Sequence, residues 1–183
     1  MGRLKAALLE RKSAIVDRWI DEALSSYAPE ASLFFKRERN QFANPVGNSV
    51  RTGIEAIFAS LVEEMDAELV CRHLEEIIHV RAVQDLTPSQ AVTFVFDLKQ
   101  VVRRELKREL RQADVAADLE GFDARVDQTA LFAFDIYVRC RERFAELRVN
   151  EIKRNVFSVM ERIRRGETLS GSPDGGQEEQ VEK

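Results

Sequence analysis

The segment Leu86-Thr87-Pro88-Ser89-Gln90-Ala91-Val92-Thr93-Phe94-Val95-Phe96-Asp97-Leu98 carries a complete helix start followed by helical spacing. Thr87 is placed to cap the helix, and Pro88 falls in the first turn, where its missing N–H costs nothing. Gln90, three residues after the cap, can reach back to the cap N–H. From there Ala91, Phe94, Val95, Leu98, Val102 and Leu106 recur at the 3.6-residue period, which predicts a helix over residues 88–110 with one buried face. Pro88 is the only proline between Ile54 and Glu120, and that interval holds no glycine. Long helices are therefore expected on both sides of the segment.

Upstream, Val70, Leu74, Ile77 and Ile78 predict a helix over 67–83. Asn44 followed by Pro45 reads as an N-cap with proline at the first helical position, opening a helix over 45–65 on Val50, Ile54, Ile57, Phe58, Leu61 and Met65. A short amphipathic piece over 30–39 groups Leu33, Phe34 and Phe35. The first helix is expected over 3–25, with Ile15, Val16, Trp19, Ile20, Ala23 and Leu24 on a wide apolar face.

Downstream of a weak break over 112–118, residues 119–165 contain no proline and only Gly121, so they form one helix or two with a hinge. At 1.5 Å per residue a single helix there runs about 70 Å, against about 40 Å for a compact globule of this size. Its last turns are expected to project. Leu119, Phe122, Val126, Ala130, Ala133, Tyr137, Cys140, Phe144 and Leu147 keep a face for the domain core. Past Phe144 the spacing becomes heptad: Val149, Val156 and Ile163 take one seam position, and Ala145, Ile152 and Val159 the other. β-Branched residues at the first seam position favour a parallel two-stranded coiled coil, so a homodimer through Val149, Ile152, Val156, Val159 and Ile163 is expected. The expected architecture is all-α: a compact bundle of about six helices over 1–147, a projecting coiled-coil helix over 148–165, and a disordered acidic tail over 166–183.

Composition bounds what this architecture does. The 183 residues, 44% of them hydrophobic, suit one globular domain. Two cysteines, Cys71 and Cys140, make no disulfide framework, which fits a reducing cytosol and a cytoplasmic protein. The net charge of −4 argues against generic nucleic-acid binding, and the longest apolar run, residues 91–96, is far too short to span a membrane. Arg103, Arg104, Lys107, Arg108 and Arg111 form a solvated basic face diluted by Asp97, Glu105 and Glu109. His73 and His79 are six apart on a helix and point to different faces, and Glu75 with His79 is an ordinary i,i+4 pair. Cys140 reads as a small core hydrophobe. With no phosphate loop, nucleophile triad or metal motif, an enzyme is not expected and no cofactor is required.

Four stretches in order carry a resemblance: residues 9–19, Phe42-Ala43-Asn44-Pro45-Val46-Gly47, Arg81-Ala82-Val83-Gln84-Asp85-Leu86-Thr87-Pro88-Ser89-Gln90-Ala91-Val92, and residues 134–142. Together they resemble the N-terminal domain of RsbT co-antagonist proteins of the RsbRD type. The motif positions are Asn44, Pro45, Gly47, Arg81, Gln84, Asp85, Thr87, Pro88 and Gln90. The resemblance implies a bacterial signal-input domain, found ahead of a STAS output domain in stressosome-type regulators and ahead of kinase modules in others. Only 18 residues follow the projecting helix, so the output domain is expected on a separate signalling protein. Related stressosome input domains have a globin-like fold without haem. By that analogy His79 stands where a globin places its proximal ligand, and a haem- or redox-sensing protein using His79 is the alternative.

Overall fold

The computed structural model describes residues 2–38, 40–84 and 86–165, and all regular structure among them is helical. Seven α-helices follow in order: α1 (Gly2–Glu10), α2 (Lys12–Ser25), α3 (Pro29–Arg37), α4 (Pro45–Val62), α5 (Ala67–Val83), α6 (Pro88–Glu105) and α7 (Ala113–Arg164), with a 3₁₀ turn at Glu109–Arg111. The chain divides into two compact units, Met1–Glu142 and Arg143–Lys183, and α7 has residues in both. Asp85 and the expected acidic tail over 166–183 lie outside the described residues.

In the first unit α2 packs on α3, α4 and α6, α4 packs on α5, and α1 closes on α2 and α4. Trp19, Phe58, Phe94 and Phe122 are fully buried among Leu4, Leu8, Ile15, Leu24, Ile54, Ile57 and Leu61. Burial of each such side chain supplies about 1.5–3 kcal/mol of the drive to fold. Between α2 and α6 the buried Trp19 indole N–H donates to Phe94 O at 2.6 Å, so the ring's one polar group is satisfied inside the core. Lys99 with Asp127 (2.5 Å) and Arg103 with Asp123 pair α6 with α7.

The helix starts follow their local chemistry. Thr87 and Gln90 form the reciprocal capping box, with Thr87 N–H donating to Gln90 Oε1 at 2.9 Å and Gln90 N–H to Thr87 Oγ1 at 3.3 Å. Asp66 caps α5 by accepting from Glu68 and Leu69 N–H at 3.0 Å each.

Five expectations need correction. The helix expected over 3–25 is two, because Arg11 sits at φ −99°, ψ 11° while Arg11 N–H still bonds Ala7 O at 3.1 Å and Ile15 N–H bonds Arg11 O at 3.0 Å. Arg11, Lys12 and Ser13 are all exposed, so no buried side chain holds the axis straight where α1, on α4, hands over to α2. The described residues thus hold seven α-helices, in keeping with the expected all-α bundle of about six. The helix expected to reach residue 110 ends at Glu105, and α7 begins at Ala113, not after residue 118, with Val115 already buried. Leu147, expected in the core, lies in the second unit and is 58% exposed. Cys140 is only partly buried, one turn past Tyr137, the last fully covered side chain of α7.

Candidate functional site

Helix α5 sets Val70, Leu74, Ile77, Ile78 and Arg81 on one stripe, and the stripe is buried through to its charged end. Arg81 is 0% exposed. Its Nη2 donates to Ala23 O, near the end of α2, at 2.6 Å, and Nη1 faces Gln90 O and Ala91 O in the first turn of α6 at 3.5 Å each. The guanidinium lies over the Phe94 ring at 4.6 Å and the Tyr27 ring at 5.4 Å. Arg81 Nε and the Tyr27 hydroxyl make no well-formed hydrogen bond among the described residues, although the hydroxyl and the guanidinium interact with each other. Burial lowers the Arg81 pKa, opposed by Tyr27 and Asp97, and burial raises that of Tyr27. Carbonyl oxygens and ring faces thus stand in for a counter-ion that a buried cation ordinarily requires.

Beside Arg81 lies a cavity of ≈ 360 Å³ lined by Glu22, Ser25, Ser26, Arg81, Leu86, Gln90, Thr93, Phe94 and Asp97. Burial and the neighbouring Glu22 push the Asp97 carboxyl above its ordinary range, with Arg81 and Arg104 pulling it back. Glu22 pairs with Arg104 at 3.3 Å. The α5–α6 turn is also held from α7: Tyr137 Oη donates to Leu86 O at 2.9 Å, and Arg141 Nη1 donates to Ala82 O at 3.2 Å. Leu86 therefore lines the cavity with one part of itself while α7 holds its carbonyl.

A family model described as the RsbT co-antagonist protein rsbRD N-terminal domain matches residues 13–152. The chain belongs to this family. It is a family of stressosome-type signal-input domains. Comparison with curated proteins and with solved structures gives no match.

The RsbRD-type domain divides its motif residues between two places. Asn44 is buried at the start of α4, where its Oδ1 accepts from Gly47 N–H at 2.8 Å and its Nδ2 donates to Phe35 O (3.0 Å) and Glu38 O (2.8 Å), fastening α3 to α4. Pro45 takes the first helical position, and a Cβ at Gly47 would fall inside the Asn44 side chain. In the second group Arg81 and Gln90 line the cavity, while Gln84, Thr87 and Pro88 end α5 and begin α6 without lining it. His79 is exposed on α5 and lines none of the cavities described, which gives the haem alternative no support. No cluster of His, Cys, Asp or Glu able to hold a metal ion occurs among the described residues, and no helix there is long and apolar enough to cross a membrane.

In the second unit Val149, Ile152, Val156, Val159 and Ile163 are all exposed, between 40% and 58%. Phe157 and Met160 are exposed beside them and widen the apolar stripe beyond the two seam positions. The reading of the sequence missed Glu22, Asp97 and Tyr27 as companions of Arg81. Its one available signal was the arginine itself, three residues past Ile78 on the apolar stripe.

Proposed function

We propose that this RsbRD-type domain is a non-enzymatic input module of the cytoplasm that acts on an output-bearing partner through α7. The exposed apolar stripe on the last turns of α7 carries this reading, because isolated chains rarely leave such a stripe in water and a second helix relieves it. A second copy is the proposed occupant, paired in parallel along Val149, Ile152, Val156, Val159 and Ile163. The hydrogen bonds of Tyr137 and Arg141 to the α5–α6 turn support a route from the cavity to α7.

Residues 139–165 carry nine basic and four acidic side chains, so the paired helices repel and pairing should tighten as salt screens them. Sedimentation equilibrium at low and high salt tests this on the intact chain and on the Ile152→Asp/Val156→Asp variant. A dimer that strengthens with salt and is lost in the variant is expected. Monomers of both proteins under all conditions would end the self-association half of the proposal, leaving the stripe to the output protein.

A further inference from the structure

The cavity beside Arg81 is polarised in its hydrogen-bonding capacity. Ser25 Oγ donates to Glu22 O at 2.6 Å, Ser26 Oγ to Ala23 O at 2.9 Å, and Thr93 Oγ1 to Ser89 O at 2.6 Å. A hydroxyl has one proton to give, so these three lining residues have only lone pairs left to offer a guest. The carboxylates of Glu22 and Asp97 add acceptors of the same kind. The opposite character is confined to two residues. Gln90 Oε1 is occupied by Thr87 N–H (2.9 Å) and Thr87 Oγ1 (3.0 Å), which leaves the amide N–H groups of Gln90 to donate elsewhere. Arg81, also in the lining, holds a fully buried positive charge with an unmatched Nε and no ion-pair partner among the described residues.

A simple anion would meet two carboxylates in this cavity, and a simple amine would leave the buried cation uncompensated. A molecule with an ammonium and a carboxylate on one carbon satisfies both ends. We propose that the cavity binds a free α-amino acid, its ammonium group against Glu22 and Asp97 and its carboxylate toward the Gln90 amide and the Arg81 charge. The volume of ≈ 360 Å³ stands near the lower end for small-molecule sites, which suits a metabolite of this size. Leu86 and Phe94 supply the apolar wall for its side chain. An ammonium group also favours the ionised Asp97, which burial first and the neighbouring Glu22 second disfavour.

This deepens the input reading above and rests on it for the role of the site, though not for binding itself. The test is titration calorimetry on the intact chain with the proteinogenic L-amino acids, each at millimolar concentration. Any amino acid that binds is then compared with its N-acetyl derivative and its decarboxylated amine. At least one amino acid should bind, both derivatives should bind about tenfold more weakly or worse, and Asp97→Asn should weaken binding by about tenfold with its helical content unchanged. Gln90→Leu, at an exposed position, serves as the second variant and should also weaken binding, its helical content checked alongside because Gln90 also completes the α6 cap. The proposal is overturned if no amino acid binds, if either derivative binds as well as its parent, or if both variants bind like the unaltered chain. Failure here with an intact salt-dependent dimer defeats only the ligand assignment. Binding by a chain that stays monomeric defeats only the dimer.

Discussion

Replacing Arg81 by Lys should cost the domain more stability than replacing it by Met, the reverse of what conservation of charge would give. The bond from Nη2 to Ala23 O, buried and 2.6 Å long, is charge-assisted and contributes about 1.5–3 kcal/mol. The approaches to Gln90 O and Ala91 O, at 3.5 Å, are too long to add much. Stacking over Phe94 at 4.6 Å adds about 1–2 kcal/mol where the cation is desolvated. Opposed to these is the penalty of holding a cation out of water with no ion pair, several kcal/mol. Methionine fills most of the same space and gives up the bonds together with the penalty. Ala23 O keeps the Ser26 hydroxyl at 2.9 Å, so that carbonyl is not orphaned. The net loss for Arg81→Met should stay within about 2 kcal/mol. Lysine retains a buried charge, but a compact ammonium cannot lie flat on Phe94 while reaching Ala23 O, so the penalty persists with fewer compensations and the loss rises to about 2–4 kcal/mol. Guanidinium unfolding followed by far-UV circular dichroism measures both. The fluorescence of Trp19, whose indole is bonded to Phe94 O, reports whether the α2–α6 junction is kept. If Arg81→Lys is as stable as Arg81→Met or more so, the charge itself does the stabilising and the assignment to directed bonds and stacking is wrong.

Thr87→Ala removes one half of the capping box and should cost about 1 kcal/mol, read as a lower unfolding midpoint with an unchanged denaturant slope. Gly47→Ala would ordinarily favour a helix by up to about 1 kcal/mol, yet here it should destabilise by about 1–3 kcal/mol, because the new methyl group displaces Asn44 from its contacts with Gly47, Phe35 and Glu38. Thermal melts of Gly47→Ala beside Asn44→Ala check this: a more stable Gly47→Ala would contradict the steric argument. For Asp97 the folded-state pKa is raised, so the folded protein binds that proton more tightly than the unfolded chain does. The resulting penalty is absent below the unfolded pKa of about 3.9 and develops as pH rises through the folded value. Asp97→Asn should therefore raise the melting temperature at neutral pH, by less than about 1 kcal/mol in equivalent stability given its partial exposure, and the gain should vanish near pH 3. A variant less stable than the parent at pH 7 would show that Asp97 is held mainly by attraction to Arg81.

What could be read from the chain in advance divides along a physical line. The starts of α4 and α6 were legible because a cap is made by residues within one turn of each other, Asn44 with Gly47 and Thr87 with Gln90. Helix ends were less so, since α6 stops at Glu105 although Leu106 continues its apolar spacing and is fully buried. The bend at Arg11 was hidden for a related reason: the spacing from Leu4 and Leu8 to Ile15 and Trp19 is regular, and only the packing of the two halves on different neighbours separates their axes. The exposed stripe of α7 was visible as a heptad, because seam positions are defined within one helix. The cavity was not visible, for its lining joins Glu22 and Ser26 of one stretch to Arg81 and Leu86 of a second and Gln90 and Asp97 of a third, and periodicity states which residues share a face without stating what that face meets. Arg81 shows the limit most sharply. An arginine continuing the stripe of Val70, Leu74 and Ile77 announces that a charge will be buried, but its closest acceptor, Ala23 O, lies 58 residues away and is a backbone carbonyl. Every residue carries such a group, so no side-chain pattern at position 23 could have marked it as the partner, and the clasp becomes legible only once α2, α5 and α6 have been brought together.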